Sequence, residues 1–296
     1  MGNVASARLS ATWWQLTAEI TPRQEDLVYW RLEQFGCRGI ATVAAEGKML
    51  GYIPVQQASW LDLAALALHL RQDALVAGMP SPELRWELLE AEDWANSWKQ
   101  YWHPQEVGDR LLICPAWIPV PETKRLVVQM DPGMAFGTGT HPTTQLCLEA
   151  LEMRLDGRSG QVIADVGCGS GVLSLAAVKL GAKKVFAVDT DPLAVEATLE
   201  NRDRNGMGNQ IWVRQGSLEH IPDMVDGLVC NIVAETILDM IPAFRLVVRE
   251  QGWMILSGIL LEQAKIATEM LEAHDWMVSA LWKRGEWCCL NVRASG

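Results

Sequence analysis

The residues best suited to chemistry lie in Asp165-Val-Gly-Cys-Gly-Ser-Gly171 and in the acid that follows it, Asp189. Gly167, Gly169 and Gly171 occupy alternate positions after the β-branched run from Val162 to Val166, so backbone N–H groups there can approach a ligand without side chains in the way. Asp165 stands two residues before the first glycine, and Asp189 ends the next apolar run, Val185 to Val188, where a carboxylate can accept both hydroxyls of a ribose. Asp191 is the alternative for that contact; Asp189 is favoured as the last residue of the strand. Position 172 is Val, so the spacing is G-x-G-x-G and does not match the G-x-G-x-x-G of nicotinamide-binding turns.

Two further groups could face such a ligand. The first is Phe136-Gly-Thr-Gly-Thr-His-Pro-Thr-Thr144, a loop of hydroxyls and glycine N–H groups ahead of a helix expected from Gln145 to Met153 and capped by Thr143 or Thr144. Its histidine, His141, reads as a hydrogen-bonded loop residue, with no partner at metal-ligand spacing, and no metal is expected. The second is Asn231 at the end of an expected strand, where ligands of parallel sheets collect. Its context is Asn-Ile-Val-Ala, whereas enzymes that methylate amide or adenine nitrogens tend to carry Asn-Pro-Pro-Tyr.

These residues need a strand, turn and helix to hold them, and the order of patterns supplies it. From Gln161 to Pro192 the chain reads as βαβ, and further strands at 210–214, 227–231 and 253–257 alternate with helical spacers before a hairpin around Arg284-Gly285. That alternation predicts an α/β domain over 107–296 with a mostly parallel, doubly wound sheet. Residues 1–90 read as β-α-β-β-α-β, a small ferredoxin-like α+β domain without clustered catalytic side chains. A helical connector spans 91–106, with Trp94, Trp98 and Trp102 on one face.

Composition sets outer limits. The 296 residues are 49% hydrophobic and 21% charged, which suits two globular domains. No window reads as a signal peptide or membrane span, and seven cysteines without paired spacing read as reduced thiols, so a cytoplasmic, monomeric protein is expected. A net charge of -11 argues against nucleic acid as the main partner and suits a basic substrate.

Taken together, the Met130 to Thr144 loop, the Asp165 to Gly171 turn, Val188-Asp-Thr-Asp-Pro192, Asn231-Ile-Val-Ala234 and Ser257-Gly-Ile-Leu260 resemble the ribosomal protein L11 methyltransferase family. Asp93 to Pro104 looks like that family's connector, whereas the first 90 residues match only in element order. The resemblance implies a Rossmann-like class I methyltransferase that uses S-adenosyl-L-methionine, leaves S-adenosyl-L-homocysteine, and trimethylates the N-terminal α-amine and lysine side chains of one basic ribosomal protein. It marks Thr138, Gly167, Gly169, the acid of Val-Asp-x-Asp-Pro and Asn231 as cofactor or active-site residues, with Asn231 and Thr138 positioning the reaction. Asp165 and Gly171 belong to the same turn. No general base stands out. Methyltransferases of the same fold acting on another protein, RNA or a small molecule, and a nicotinamide-dependent oxidoreductase, are the alternatives.

Overall fold

The computed structural model describes residues 13–43, 46–89, 102–131, 139, 141–157 and 160–295. The chain divides into two compact units, Met1–Trp102 and His103–Gly296. Of the expected connector, Trp94 and Trp98 lie outside the described residues.

In the first unit, β1 (Trp13–Glu19), β2 (Arg38–Val43), β3 (Lys48–Pro54) and β4 (Glu83–Leu89) form an antiparallel sheet in the order β2-β3-β1-β4. Helices α1 (Glu25–Gln34) and α2 (Trp60–Val76) accompany it. Leu63, Leu66, Leu70 and Ala74 recur every three or four residues along α2, so one face is buried with Leu16, Val28 and Leu32. Ser59 and Asp62 close the start of α2 in a capping box, and Arg31 joins the helices through a two-pronged bond to Asp73 at 2.6 and 2.7 Å.

The second unit opens with a small sheet of β5 (Gln105–Val107), β6 (Leu111–Pro115) and β7 (Leu126–Met130). Seven strands then make the main sheet: β8 (Val162–Val166), β9 (Lys184–Asp189), β10 (Ile211–Gln215), β11 (Val225–Asn231), β12 (Val248–Leu260), β13 (Trp276–Arg284) and β14 (Trp287–Ala294). Their order is β10-β9-β8-β11-β12-β14-β13; the first five run parallel, and β14 is antiparallel to both neighbours. The central strands β8, β9 and β11 are mostly apolar and buried, as burial on both faces requires. Helices α3 (Pro142–Leu155), α4 (Val172–Lys179), α5 (Pro192–Arg204), α6 (Ala234–Met240), α7 (Phe244–Val247) and α8 (Ala264–Glu272) complete a Rossmann-like α/β fold. All seven cysteines are free and buried.

Two expectations are corrected. Helix α3 begins at Pro142, earlier than Gln145, and its cap is His141, whose Nδ1 accepts the N–H of Thr143. Thr143 and Thr144 therefore lie inside the first turn, fully buried, and cap nothing. Proline starts the helix without loss because the first N–H groups have no partner within it. The expected strand at 253–257 extends over Val248–Leu260, continuing through a register shift between Ser257 and Ile259.

Candidate functional site

The strand order reverses between β8 and β11, and at such a switch point the carboxyl ends of parallel strands leave a crevice for a ligand. Asp189 ends β9 and Asn231 ends β11, while the glycine turn leaves β8. Gly167, Gly169 and Gly171 all have positive φ, at 74°, 54° and 82°. A Cβ on Gly167 would fall 2.3 Å from Ile232 Cγ2, and one on Gly171 would fall 2.9 Å from Thr198 Cγ2 and 3.3 Å from its Cα. Conformation and space both demand glycine there. The turn is pinned from outside: Gly167 and Cys168 donate to the carbonyl of Val188, Thr198 Oγ1 to that of Gly169, and Asn201 Nδ2 to that of Ser170.

The two acids of Val-Asp-Thr-Asp-Pro do different work. Asp189 accepts the N–H of Gly169 at 2.9 Å and that of Asp191 at 3.0 Å, so its carboxylate is joined directly to the glycine turn. Burial raises its pKa, and those N–H bonds pull it back. Asp191 is exposed and caps α5 by accepting the N–H of Leu193 at 2.9 Å. Asp165 is fully buried; Ser174 Oγ donates to its Oδ2 at 2.6 Å, and its Oδ1 has no hydrogen-bond partner among the described residues.

Asn231 is nearly buried, and its Nδ2 donates to Thr144 Oγ1 at 3.2 Å. The carboxamide on β11 is thereby tied to the first turn of α3. His141 supports that turn: its ring sits 5.0 Å from Trp287, edge to face, and burial lowers its pKa to about 4, so it is neutral at physiological pH. The backbone after Asn231 has its own support. Gly258 has φ 84°, and a Cβ there would stand 2.0 Å from the carbonyl oxygen of Ile232, 2.7 Å from its carbonyl carbon and 3.1 Å from its nitrogen.

Thr138 lies outside the described residues. Earlier in the chain, Gln129 and Asp131 are held by two amides, Asn201 on α5 and Asn205, the residue that ends that helix. Asn205 bonds both the N–H and the carbonyl of Gln129, and Asn201 bonds both of Asp131. Asn201 thus serves the glycine turn and Asp131, the residue after β7, at once. The sequence reading missed Ser174 and Asn201, and it took Thr144 as a helix cap and Gly258 only as part of a motif. For Asn201 a signal was present, since Ala194, Ala197, Thr198 and Asn201 share one helical spacing and an amide on a buried face must have partners.

These features have the chemistry to fit an adenosyl amino acid: a cradle of bare backbone, a carboxylate joined to it with the capacity to accept hydroxyls, and a buried acid with an unsatisfied oxygen before the turn. Among the described residues no group of three or more His, Cys, Asp or Glu is placed to hold a metal, and no helix is long and apolar enough to cross a membrane.

The sequence pattern of the ribosomal protein L11 methyltransferase family matches residues 12–295. A protein of that name from Thermosynechococcus vestitus is 52% identical over 289 residues, spanning 95% of this chain and 97% of the relative. One from Synechococcus elongatus is 43% identical over 291 residues, spanning 95% and 97%. The crystal structure of a ribosomal protein L11 methylase from Lactobacillus delbrueckii subsp. bulgaricus, 33% identical, aligns with a TM-score of 0.61 over 66% of this chain and all (100%) of that one.

Proposed function

The chain belongs to the ribosomal protein L11 methyltransferase family, and we propose that it transfers methyl groups from S-adenosyl-L-methionine to the N-terminal α-amine and lysine side chains of ribosomal protein L11. The observation that carries this reading is the bond from the N–H of Gly169 to the Asp189 carboxylate, which makes the glycine turn and the ribose acid one cradle beside Asn231. Bound there, S-adenosyl-L-methionine would supply an electrophilic methyl group on sulfonium.

The protein's own part is to hold and to dry. Gly167, Gly169 and Gly171 offer backbone to the cofactor, Asp189 takes the ribose hydroxyls, and Asp191 remains the helix cap. Asn231, its amide nitrogen held by Thr144, presents its carbonyl oxygen to an amine N–H and aligns the nucleophile; Thr138 completes the positioning set. A lysine amine has a pKa of ~10.4 and must lose a proton before each transfer, which burial at the site assists. His141 is not its base, because Nδ1 is committed to the Thr143 N–H and to Thr143 Oγ1. Catalysis therefore rests on alignment and desolvation, which can supply about 7–11 kcal/mol when reacting atoms are well placed. The first unit, which shows no catalytic cluster among its described residues, serves to recognise the ribosomal protein.

Calorimetry with S-adenosyl-L-methionine, S-adenosyl-L-homocysteine and NAD, combined with turnover of Asn231→Ala, tests this. We expect binding of the first two only, and at least tenfold slower methyl transfer in a folded variant. Binding of NAD instead, or wild-type turnover without Asn231, would overturn it.

A further inference from the structure

Arg284, the last residue of β13, grips the helix that holds Asn231. Its Nη1 donates to Gln145 Oε1 at 2.5 Å, and its Nη2 to Glu149 Oε1 and Oε2 at 3.0 and 3.3 Å. Gln145 and Glu149 stand one helical turn apart on α3 and so lie on the same face, where one planar guanidinium spans both. The Arg284 and Glu149 side chains are only partly exposed, and a forked, charge-assisted contact fixes direction as well as distance. Gln145 directly follows Thr144, whose Oγ1 accepts Asn231 Nδ2 at 3.2 Å.

The start of α3 needs such a hold. The first N–H groups of a helix have no partner within it, and here the chain enters the helix through Pro142. A separation of 3.2 Å is at the long end of the usual N–H···O range, so a small slide or rotation of the helix breaks the bond to Asn231. The hairpin that carries Arg284 touches the helix start at a second point, since Trp287 on β14 packs edge to face against His141, the cap. The hairpin is itself fixed to the end of β12: Leu261 donates its N–H to the Glu286 carbonyl at 2.8 Å, and Trp287 pairs with Leu260. The same strand contains Gly258, whose missing Cβ leaves room for the backbone after Asn231. Thr144 and Asn231 are thereby referred to one frame, and Arg284 is the link that reaches the helix beyond its cap.

We propose that Arg284 is a positioning residue for methyl transfer: by clamping Gln145 and Glu149 it keeps Thr144 on Asn231, and so aims the Asn231 carbonyl oxygen at the amine. The inference rests on the function proposed above. It makes the last hairpin of the sheet part of the apparatus that aligns the nucleophile, although no residue of the clamp touches substrate or cofactor.

The test uses the full chain, steady-state methyl transfer to ribosomal protein L11, and rates normalised to the number of cofactor sites found by calorimetry. Arg284→Met, which keeps the stem and removes the fork, should lower kcat about tenfold, the scale of a sub-ångström misplacement at a reacting centre. The KM for L11 and the dissociation constant for S-adenosyl-L-methionine should stay within about twofold of wild type, the scatter expected of an uncoupled site. Arg284→Lys keeps the charge but reaches one partner only, and should fall between the two. The deciding measurement is a double-variant cycle with Thr144→Val, which removes the acceptor of Asn231 and should lower kcat by itself. Adding Arg284→Met to Thr144→Val should then slow transfer by no more than about twofold further, because both changes act through one bond. Wild-type kcat in either single variant, weakened cofactor binding with kcat unchanged, or the full tenfold loss on top of Thr144→Val would each overturn the inference and leave the proposed function standing. Should Arg284→Met lose its cooperative urea transition, Glu149→Gln takes its place in the same cycle with the same readings. Absence of methyl transfer by the wild-type enzyme would overturn the proposed function as well.

Discussion

Replacing Gly258 by alanine tests how the main sheet aims Asn231. Gly258 sits in the irregularity of β12, with φ 84°, and its missing Cβ is occupied by the backbone of Ile232, the residue after Asn231. The left-handed conformation costs alanine roughly 1–2 kcal/mol. Contact with a carbonyl oxygen at 2.0 Å cannot be relieved by rotating a side chain, because the atoms met belong to the main chain. Overpacking of this kind costs about 1–3 kcal/mol, so a total loss of about 2–5 kcal/mol is expected. To restore even a 3.0 Å approach the Ile232 carbonyl must retreat by 1.0 Å or more (3.0 minus 2.0), and Asn231 moves with it. A displacement of that size at a reacting centre lowers the rate by on the order of 100-fold. Urea unfolding and steady-state methyl transfer measure the two effects. Stability within about 0.5 kcal/mol of wild type would refute the steric argument. Lost stability with unchanged turnover would show that the Ile232 backbone does not position Asn231.

Further expectations separate roles that lie close together. Asp189→Ala should raise the dissociation constant for S-adenosyl-L-methionine by about 10- to 100-fold, the loss of a charged hydrogen-bonding group, whereas Asp191→Ala should cost about 1 kcal/mol of stability as a lost cap and leave binding alone; the reverse pattern in calorimetry would exchange their assignments. For His141 the folded pKa of about 4 lies below the unfolded value of 6.5, so its contribution is present above pH 6.5 and disappears as pH falls toward 4. The size is about 3 kcal/mol, from a difference of about 2.5 pH units. Asp165, with its pKa raised to about 7 from 3.8, acts in the opposite sense, since its contribution is present below pH 3.8 and lost as pH rises through 7. The difference between wild type and His141→Asn, which keeps a capping acceptor, isolates the histidine; identical pH profiles in urea would count against its burial as the neutral form.

How much of this was legible in the sequence depended on the range of the interaction. The βαβ unit was readable because glycine at alternate positions, a β-branched run and a terminal acid are local signals, and each corresponds to a feature seen here: three positive φ angles, β8, and Asp189 at the end of β9. The cap of α3 was misread because threonine is a common capping residue, whereas the chain uses His141 and starts the helix one residue later at Pro142. That choice frees Thr144 to bond Asn231, a partner 87 residues away that no local pattern exposes. Gly258 was visible only as part of a motif, because what makes glycine necessary is backbone from another strand's end. Asn201 on α5 showed as a buried-face amide, but neither its partner nor that of Asn205, the residue that ends the helix, was readable locally. Those partners, Gln129 for Asn205 and Asp131 for Asn201, are 76 and 70 residues earlier in the chain.

The central claim is amine methylation of a ribosomal protein, and mass spectrometry addresses it directly. Purified, unmethylated ribosomal protein L11 incubated with the enzyme and isotopically labelled S-adenosyl-L-methionine should gain labelled methyl groups on its α-amine and on lysine side chains, and should gain none with Asp189→Ala at cofactor concentrations below that variant's dissociation constant. Unmodified L11 with wild-type enzyme, under conditions where cofactor binding is saturated, would contradict the account.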